Sequence, residues 1–320
     1  MRIGILTSGG DAPGMNATIR AVVRGGLYYG MEIFGIRQGY EGLINGEFVQ
    51  MGTASVADII HRGGTILQTA RSAAFMTDEG LKRGYEQLQK HKIDALVVIG
   101  GDGTLTGGER LHSVTGMRVF GLPGTIDNDL AYTDFTIGFD TSVNTVLSAI
   151  GNIRDTSSSH GRTTIVEVMG RQCGDIALHA GLAGGAETIL VPEKSYDLDD
   201  IVKKLQAGRD RGKRHSIIIK AEGVDISSEK LAETLTERME GAEVKVVILG
   251  YIQRGGSPTA RDRILASRTG VRCVELIKEG VSNAAVGIKG DTVVDYPLAV
   301  ALAMEKDSHL EYQRICDILL

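Results

Sequence analysis

Apolar residues along the chain follow two repeating patterns. Short runs that are apolar at nearly every position predict strands buried on both faces of a parallel sheet; they occupy 2–7, 94–99, 118–122, 164–169, 188–191, 216–220 and 244–249. Between them, apolar residues three and four positions apart predict helices, as at Ile19, Val22 and Val23 and again over 198–206. The alternation predicts a doubly wound α/β fold with mainly parallel sheets covered by helices.

Another helix is predicted from Thr141 onward. Thr141 is expected to cap it, and its apolar face carries Val143, Val146, Leu147, Ile150 and Ile153.

Composition narrows the class of protein. A chain of 320 residues with 42% hydrophobic and 23% charged residues is ordinary for a globular protein of about two domains. It has no apolar run as long as a membrane span and begins directly with a strand, so we expect a cytoplasmic protein without a membrane partner. A net charge of −5 argues against a nucleic-acid partner. Cys173, Cys273 and Cys316 are expected to be reduced and structural.

Glycine is overrepresented, and the glycines cluster where predicted strands end. The chain has 43 of them, about 13% of residues against a usual 7% or so. The segments 8–14 and 100–108 each follow a strand, and a short helix follows the second. Backbone N–H groups of such loops bind phosphate, although a plain turn is the alternative. The first loop has P-loop spacing but lacks the following Lys-Ser or Lys-Thr, so it is not a Walker A motif.

Acidic residues lie in the second glycine loop and in the segment 123–129. Asp102 is a candidate Mg²⁺ ligand, since Mg²⁺ takes one or two carboxylates together with phosphates and waters. Asp127 and Asp129 lie two residues apart in a short loop, where Asx turns are the structural alternative. Because neighbouring carboxylates repel each other, we expect one to serve as a base and the other to lie on the metal side. These loops indicate phosphoryl transfer.

Several charged residues beside strands or glycines are further candidates. Arg171 follows a strand end and would stabilise a transferring phosphoryl group, or else be a solvated surface charge. Arg162, Glu222 and Arg254 are weak signals individually.

Five segments in order, 6–16, 100–104, 123–129, 168–171 and 249–258, resemble the bacterial ATP-dependent 6-phosphofructokinase family. The resemblance covers nearly the whole chain. It implies two Rossmann-like domains in a homotetramer. The larger, ATP-binding domain would comprise 1–138 plus 251–303, and the smaller, fructose 6-phosphate-binding domain 139–250 plus 304–320.

The resemblance implies transfer of the ATP γ-phosphoryl group to the 1-hydroxyl of fructose 6-phosphate. Asp127 would be the general base with Thr125 and Asp129 beside it, and Arg171 would stabilise the transferring group. The implied ATP contacts are Gly10, Tyr40, Arg71, Ser72, Gly101, Asp102, Gly103, Thr104 and Gly107, with Asp102 also holding Mg²⁺. The implied substrate contacts are Thr125, Ile126, Asp127, Arg162, Met169, Gly170, Arg171, Glu222, Lys245, Tyr251 and Arg254.

Some positions distinguish this chain from relatives. Gly103 and Gly124 stand where pyrophosphate-dependent relatives carry Asp and Lys, which favours ATP as the donor. Lys245 replaces a family arginine and Tyr251 a family histidine at the sugar phosphate. Lysine lacks the bidentate fork of arginine, so we expect weaker binding of the 6-phosphate and a raised KM.

The resemblance also implies an effector site for ADP and phosphoenolpyruvate. Its residues would be Arg20, Arg24, Thr53, Asp58, Arg154, Gly185, Glu187, Arg211, Lys213, Arg214 and His215. Thr53 stands where many relatives have an effector-binding arginine, so we expect weak regulation. A pyrophosphate-dependent or other sugar kinase, or a non-catalytic nucleotide-sensing subunit, are the alternative functions.

Overall fold

The computed structural model describes residues 1–319. The strands are β1 Arg2–Thr7, β2 Glu32–Ile36, β3 Phe48–Met51, β4 Ala95–Gly100, β5 Arg118–Thr125, β6 Ile137–Gly138, β7 Thr163–Val168, β8 Thr188–Leu190, β9 Ser216–Ala221, β10 Val244–Ile248, β11 Asn283–Lys289 and β12 Thr292–Tyr296. The helices are α1 Met15–Tyr28, α2 Gly39–Asn45, α3 Asp78–Lys90, α4 Asp102–Thr115, α5 Phe139–His160, α6 Asp175–Ala183, α7 Leu198–Asp210, α8 Ser228–Arg238, α9 Ala260–Glu279, α10 Leu298–Leu302 and α11 Glu311–Ile318. None of these described helices is long and apolar enough to cross a membrane.

The chain forms two compact units. The first comprises Met1–Ile126, Leu130–Thr141 and Arg254–Lys306, and the second comprises Asp127–Asp129, Ser142–Gln253 and Asp307 onward. The functional assignment of the predicted domains stays a prediction.

The first unit is built on a mainly parallel sheet. Its strand order is β12-β11-β5-β4-β1-β2-β3, and β6 pairs with the end of β5. Among the described strands of this sheet, only β3 and β12, at the two edges, run antiparallel to their neighbours. The order reverses between β1 and β4, where an open parallel sheet binds its ligands outside the carboxyl ends of the strands. Both predicted glycine loops follow these two strands.

The second unit contains a four-stranded parallel sheet in the order β10-β7-β9-β8. All six residues of β9 are buried, as are the six of β4 in the first unit. Such fully buried strands are typical of parallel sheets with helices on both faces. The predicted α/β fold with mainly parallel sheets is therefore confirmed.

Two predicted boundaries were wrong. β5 continues through Thr125, because Gly100 pairs with Pro123 on one side and β6 pairs with Gly124 and Thr125. Helix α4 begins at Asp102 and takes in Gly103, Gly107 and Gly108. The glycine at 107 leaves room for a ring, since an added Cβ there would lie 3.1 Å from Tyr40 Cε2.

Thr141 is not the cap of α5, which begins two residues earlier. Its backbone N–H and hydroxyl both donate to Asp262 Oδ2, and the N–H of Gly138 donates to Asp262 Oδ1. Asp262 is 1% exposed, and burial raises its pKa from an ordinary 3.8 to about 6. The first turn of α9 thus secures the start of α5 through one buried carboxyl group.

Replacing Asp262 with Asn should destabilise the protein, because an amide NH₂ would face donors that need an acceptor. We expect a loss of about 1–3 kcal/mol in the free energy of unfolding at pH 5. Since the folded-state pKa is raised, this group stabilises the wild type most at low pH and loses that contribution as pH rises through about 6. The difference in the free energy of unfolding between wild type and variant should therefore shrink by about 1 kcal/mol from pH 5 to pH 8.

Urea unfolding at the two pH values measures this gap. Asp291→Asn, at an exposed aspartate of the same unit, is the matched control. A gap independent of pH would contradict the assignment of the titration to Asp262.

Candidate active site

In the first unit the β1–α1 and β4–α4 loops lie side by side. The N–H of Ser8 donates to the carbonyl of Ile99 at 3.0 Å. An added Cβ on Gly100 would lie 2.6 Å from the carbonyl oxygen of Ser8, so only glycine fits there. Next to it, a Cβ on Gly101 would lie 3.4 Å from Cβ of Thr125. The structure therefore brings together the two glycine loops and the end of β5.

Helix α4 starts in this loop without a side-chain cap. Gly101 is its N-cap residue, and Asp102 and Gly103, the first two helical residues, are exposed. The N–H groups of a first helical turn have no partner within the helix and attract anions. The start of α4 thus has the donors and the carboxylate expected for phosphate and a divalent cation.

Tyr40 packs against α4 in the interior of the first unit and is not exposed at the surface of the loop. Its ring is 5% exposed and stacks on Phe75 with centroids 4.1 Å apart. Its hydroxyl donates to the carbonyl of Thr104 at 2.6 Å, and burial raises its pKa. Any contribution of Tyr40 to ATP binding would therefore be made through the position of α4.

The segment 62–72 runs along the β1–α1 loop. Asp11 accepts from the N–H of Thr65 at 3.2 Å, and Asn16 accepts from the N–H of Ile66 at 2.8 Å. Burial raises the pKa of Asp11. At the end of the segment Arg71 is exposed, and Ser72 donates to Glu41 at 2.6 Å. The role of Asp11 and Asn16 in holding this segment was not predicted, although both residues lie in the motif 6–16.

Arg254 lies against the same loop in the first unit. An added Cβ on Gly10 would lie 2.8 Å from Cζ of Arg254, and the guanidinium donates to the carbonyl of Asp11 at 3.4 Å. Arg254, which is expected to contact the substrate, thus lies beside Gly10, which is expected to contact ATP.

The second unit brings Asp127 and Arg171 together. Nε of Arg171 lies 3.4 Å from Oδ2 of Asp127, and the carboxylate side chain is 3% exposed whereas the arginine side chain is 55% exposed. A buried carboxylate thus contacts a guanidinium that is open to a ligand. Asp129 is partly buried in the same short segment.

Left-handed backbone occurs at Arg171 itself and at Asn128, the residue after Asp127. Arg171 has φ of 54° and Asn128 has φ of 53°, a conformation that costs a non-glycine residue about 1–3 kcal/mol. Glu222 Oε1 accepts from the N–H groups of Gly170 and Arg171 at 3.1 and 2.8 Å. Asn128 Nδ2 donates to Asp175 Oδ2 at 2.8 Å. Two carboxylates therefore hold the strained turns.

Gln253 holds the backbone of Met169, another predicted substrate contact. Its Oε1 accepts from the N–H of Met169 at 3.2 Å while its Nε2 donates to the carbonyl of Gly250. The supporting roles of Gln253 and Asp175 were not predicted, although Gln253 lies within the motif 249–258 and Asp175 lies shortly after the motif 168–171.

Arg162 and Lys245 converge on one acidic residue. Arg162 Nε lies 2.5 Å and Lys245 Nζ 2.9 Å from the carboxylate of Glu243. Hydrogen bonds from both cations lower the pKa of Glu243. Tyr251 is 84% exposed and lies in the 3-10 helix Gly250–Arg254.

Part of the predicted effector set also meets in the second unit. Glu187 is 4% exposed, pairs with Lys213 and accepts from the N–H of Ile217. Arg154 donates to the carbonyls of Gly184 and Gly185. Arg211 and Arg214 are exposed, and His215 is partly exposed before β9. In the first unit Arg24, Thr53 and Asp58 are exposed and Arg20 is half-buried.

Comparison with known proteins identifies the family. The phosphofructokinase family profile matches residues 2–277. The chain is 56% identical over 317 residues to "ATP-dependent 6-phosphofructokinase" of Clostridioides difficile (strain 630), covering 99% of this chain and 98% of the relative. It is 54% identical to the protein of the same name from Halalkalibacterium halodurans, covering 98% of each.

Solved structures give the same result. A phosphofructokinase from Saccharomyces cerevisiae superposes with a TM-score of 0.89 at 36% identity, covering 94% of this chain and 45% of the yeast chain. A pyrophosphate-dependent phosphofructokinase from Marinobacter aquaeolei shares the fold, with a TM-score of 0.84 at 21% identity and coverage of 98% and 86%. From its sequence and its fold, this chain belongs to the phosphofructokinase family.

Proposed function

We propose that the protein transfers the γ-phosphoryl group of ATP to the 1-hydroxyl of D-fructose 6-phosphate, yielding fructose 1,6-bisphosphate and ADP. The observation that carries this proposal is the 3.4 Å contact between Arg171 and the buried carboxylate of Asp127. A proton acceptor and a cation for the transferring group thus occur side by side. The full-length similarity to proteins named ATP-dependent 6-phosphofructokinase supports the choice of substrates.

In the proposed reaction Asp127 takes the proton of the 1-hydroxyl as its oxygen bonds to the γ-phosphorus. The bond from that phosphorus to the β–γ bridging oxygen breaks, and ADP leaves. Charge spreads over the oxygens of the transferring group, where the exposed guanidinium of Arg171 would stabilise it. Thr125 and Asp129 would lie beside the base.

Asp102 would hold Mg²⁺ together with the phosphates of ATP. An exposed carboxylate at an uncapped helix start suits a cation that keeps several waters and takes only one or two carboxylates. When bound, Mg²⁺ supplies positive charge that offsets the phosphate oxygens. The first unit would bind ATP with the residues predicted above, and the second would bind the sugar phosphate.

The choice of ATP over pyrophosphate rests on two glycines. A Cβ on Gly103 would meet no atom within 4 Å, so this position is open for the nucleotide. A Cβ on Gly124 would lie 2.7 Å from Cγ2 of Ile99, so the lysine of pyrophosphate-dependent relatives would require Ile99 to move.

The proposal includes a cytoplasmic homotetramer with substrate sites at subunit interfaces. Arg162 and Lys245 would then bind the 6-phosphate of a sugar in a neighbouring subunit. Arg154, Glu187 and Lys213 would belong to a site for ADP or phosphoenolpyruvate, with weak regulation because Thr53 replaces an arginine.

Asp127→Asn should lower kcat for fructose 6-phosphate by about 10²–10⁴-fold, because it keeps the shape of the side chain but removes the base. ADP release in a coupled assay measures this effect. Asp210→Asn, at an exposed aspartate of the same unit, should retain wild-type turnover. Full activity of the Asp127 variant would remove this residue from its role, and an inactive wild type would favour a nucleotide-sensing subunit.

Gly103→Asp should impair the use of ATP, because it adds a negative charge beside the proposed phosphate site. A like charge at about 6 Å costs about 3 kcal/mol at an effective dielectric constant near 20, which is roughly 100-fold in kcat/KM for ATP. The neutral control Gly103→Asn has the same size. Equal kinetics for the two variants, or turnover of the wild type with pyrophosphate, would contradict ATP as the donor.

The double variant Lys245→Arg with Tyr251→His should lower KM for fructose 6-phosphate with little change in kcat. A bidentate arginine gains about 1 kcal/mol on phosphate, or roughly fivefold in KM. Steady-state kinetics beside Lys230→Arg, at an exposed lysine of α8, provide the comparison. An unchanged KM would mean that neither side chain limits binding of the 6-phosphate.

A further inference from the structure

The second unit contains a cluster of Asp175, His179 and His309 that the proposed reaction does not use. Asp175 is the first residue of α6, and His179 follows one turn later on the same helix face. His309 lies two residues before α11, and its Nδ1 is 3.1 Å from Asp175 Oδ1. One candidate ligand atom from each residue lies within 4.8 Å of the others.

Each of two cluster residues has a second contact of the kind that supports a metal ligand. Nδ1 of His179 lies 2.9 Å from the backbone carbonyl of Asp175. Because a carbonyl only accepts, Nδ1 carries the hydrogen and Nε2 keeps its lone pair. Asp175 Oδ2 accepts from Asn128, which leaves Oδ1 on the side of His309. Metal-binding histidines and carboxylates generally have such outer hydrogen bonds.

An aromatic ring packs against both imidazoles. The ring centroid of Tyr312 lies 4.9 Å from that of His179 and 5.4 Å from that of His309. Asp175 is buried, whereas the side chain of His309 is 33% exposed. The cluster thus combines a fixed carboxylate with a histidine that an ion from solvent can reach.

We propose that Asp175, His179 and His309 form a binding site for a divalent transition metal such as Zn²⁺. Two imidazoles and one carboxylate suit Zn²⁺ or Co²⁺, whereas Mg²⁺ prefers oxygen ligands alone. Metal–ligand distances of about 2.0–2.2 Å place tetrahedral ligands about 3.3–3.5 Å apart. Rotation of the partly exposed His309 side chain closes the present separation while His179 keeps its contact with the carbonyl of Asp175. Water takes the fourth position.

The test uses the full-length protein, stripped of metal with a chelator and dialysed, without nucleotide. Co²⁺ is titrated, the visible absorption of the tetrahedral ion is recorded, and Zn²⁺ is then added to displace it. The variants His179→Gln and His309→Gln are compared with His160→Gln, at an exposed histidine at the end of α5. Circular dichroism verifies the fold of each protein.

We expect one equivalent of Co²⁺ in the wild type and in the His160 variant. Loss of a direct ligand should weaken binding by more than the roughly 10–100-fold cost of losing an outer partner. Absence of one-to-one binding by the wild type at micromolar Co²⁺ would overturn the proposal. The proposal would also be overturned if a cluster variant bound Co²⁺ as tightly as the His160 control. One correctly folded cluster variant is enough for this comparison.

Discussion

The arrangement of the first unit depends on the close approach of the β1–α1 and β4–α4 loops, which lie where the strand order reverses. The N–H of Ser8 donates to the carbonyl of Ile99, and a side chain on the next residue, Gly100, would clash with the carbonyl oxygen of Ser8. This contact fixes where α4 begins. It also brings Thr104 to the position where its carbonyl receives the hydroxyl of Tyr40. The exposed start of α4 is therefore a result of backbone packing as much as of the residues that it presents.

The second unit meets a different constraint, the cost of left-handed backbone at Asn128 and Arg171. Glu222 and Asp175 offset this cost by binding groups on either side of the Asp127–Arg171 pair. Pre-organisation of this kind keeps the carboxylate and the guanidinium in contact before a ligand arrives. Asp175 also contacts His309. The turn that carries Asp127 is therefore linked through Asp175 to the segment before α11.

The fully buried strands could be predicted from sequence, because burial on both faces leaves a nearly continuous apolar run, as in β4 and β9. This pattern did not predict β2, β3, β6, β11 and β12. Two of these, β3 and β12, are antiparallel edge strands with mixed polar and apolar residues, so they lack that signature.

The motifs predicted which side chains matter, but not how they are supported. Tyr40 is buried because its ring packs against glycines of α4, a tertiary contact without a local pattern. Glu222 was predicted as a substrate contact, yet its two backbone hydrogen bonds to the Arg171 turn depend on β7 and β9 being neighbours. Such long-range pairing is not visible in any single segment.

The position of β11 between β5 and β12 has a consequence for synthesis of the chain. About 160 residues separate the end of β5 from the start of β11, most of them in the second unit. At about 5–20 residues per second, the ribosome needs about 8–30 s to make them. During that time one edge of β5 over Val119–Gly121 lacks its later partner and is open to strand addition from another chain. Nascent chains therefore carry an aggregation-prone edge that the finished protein has covered.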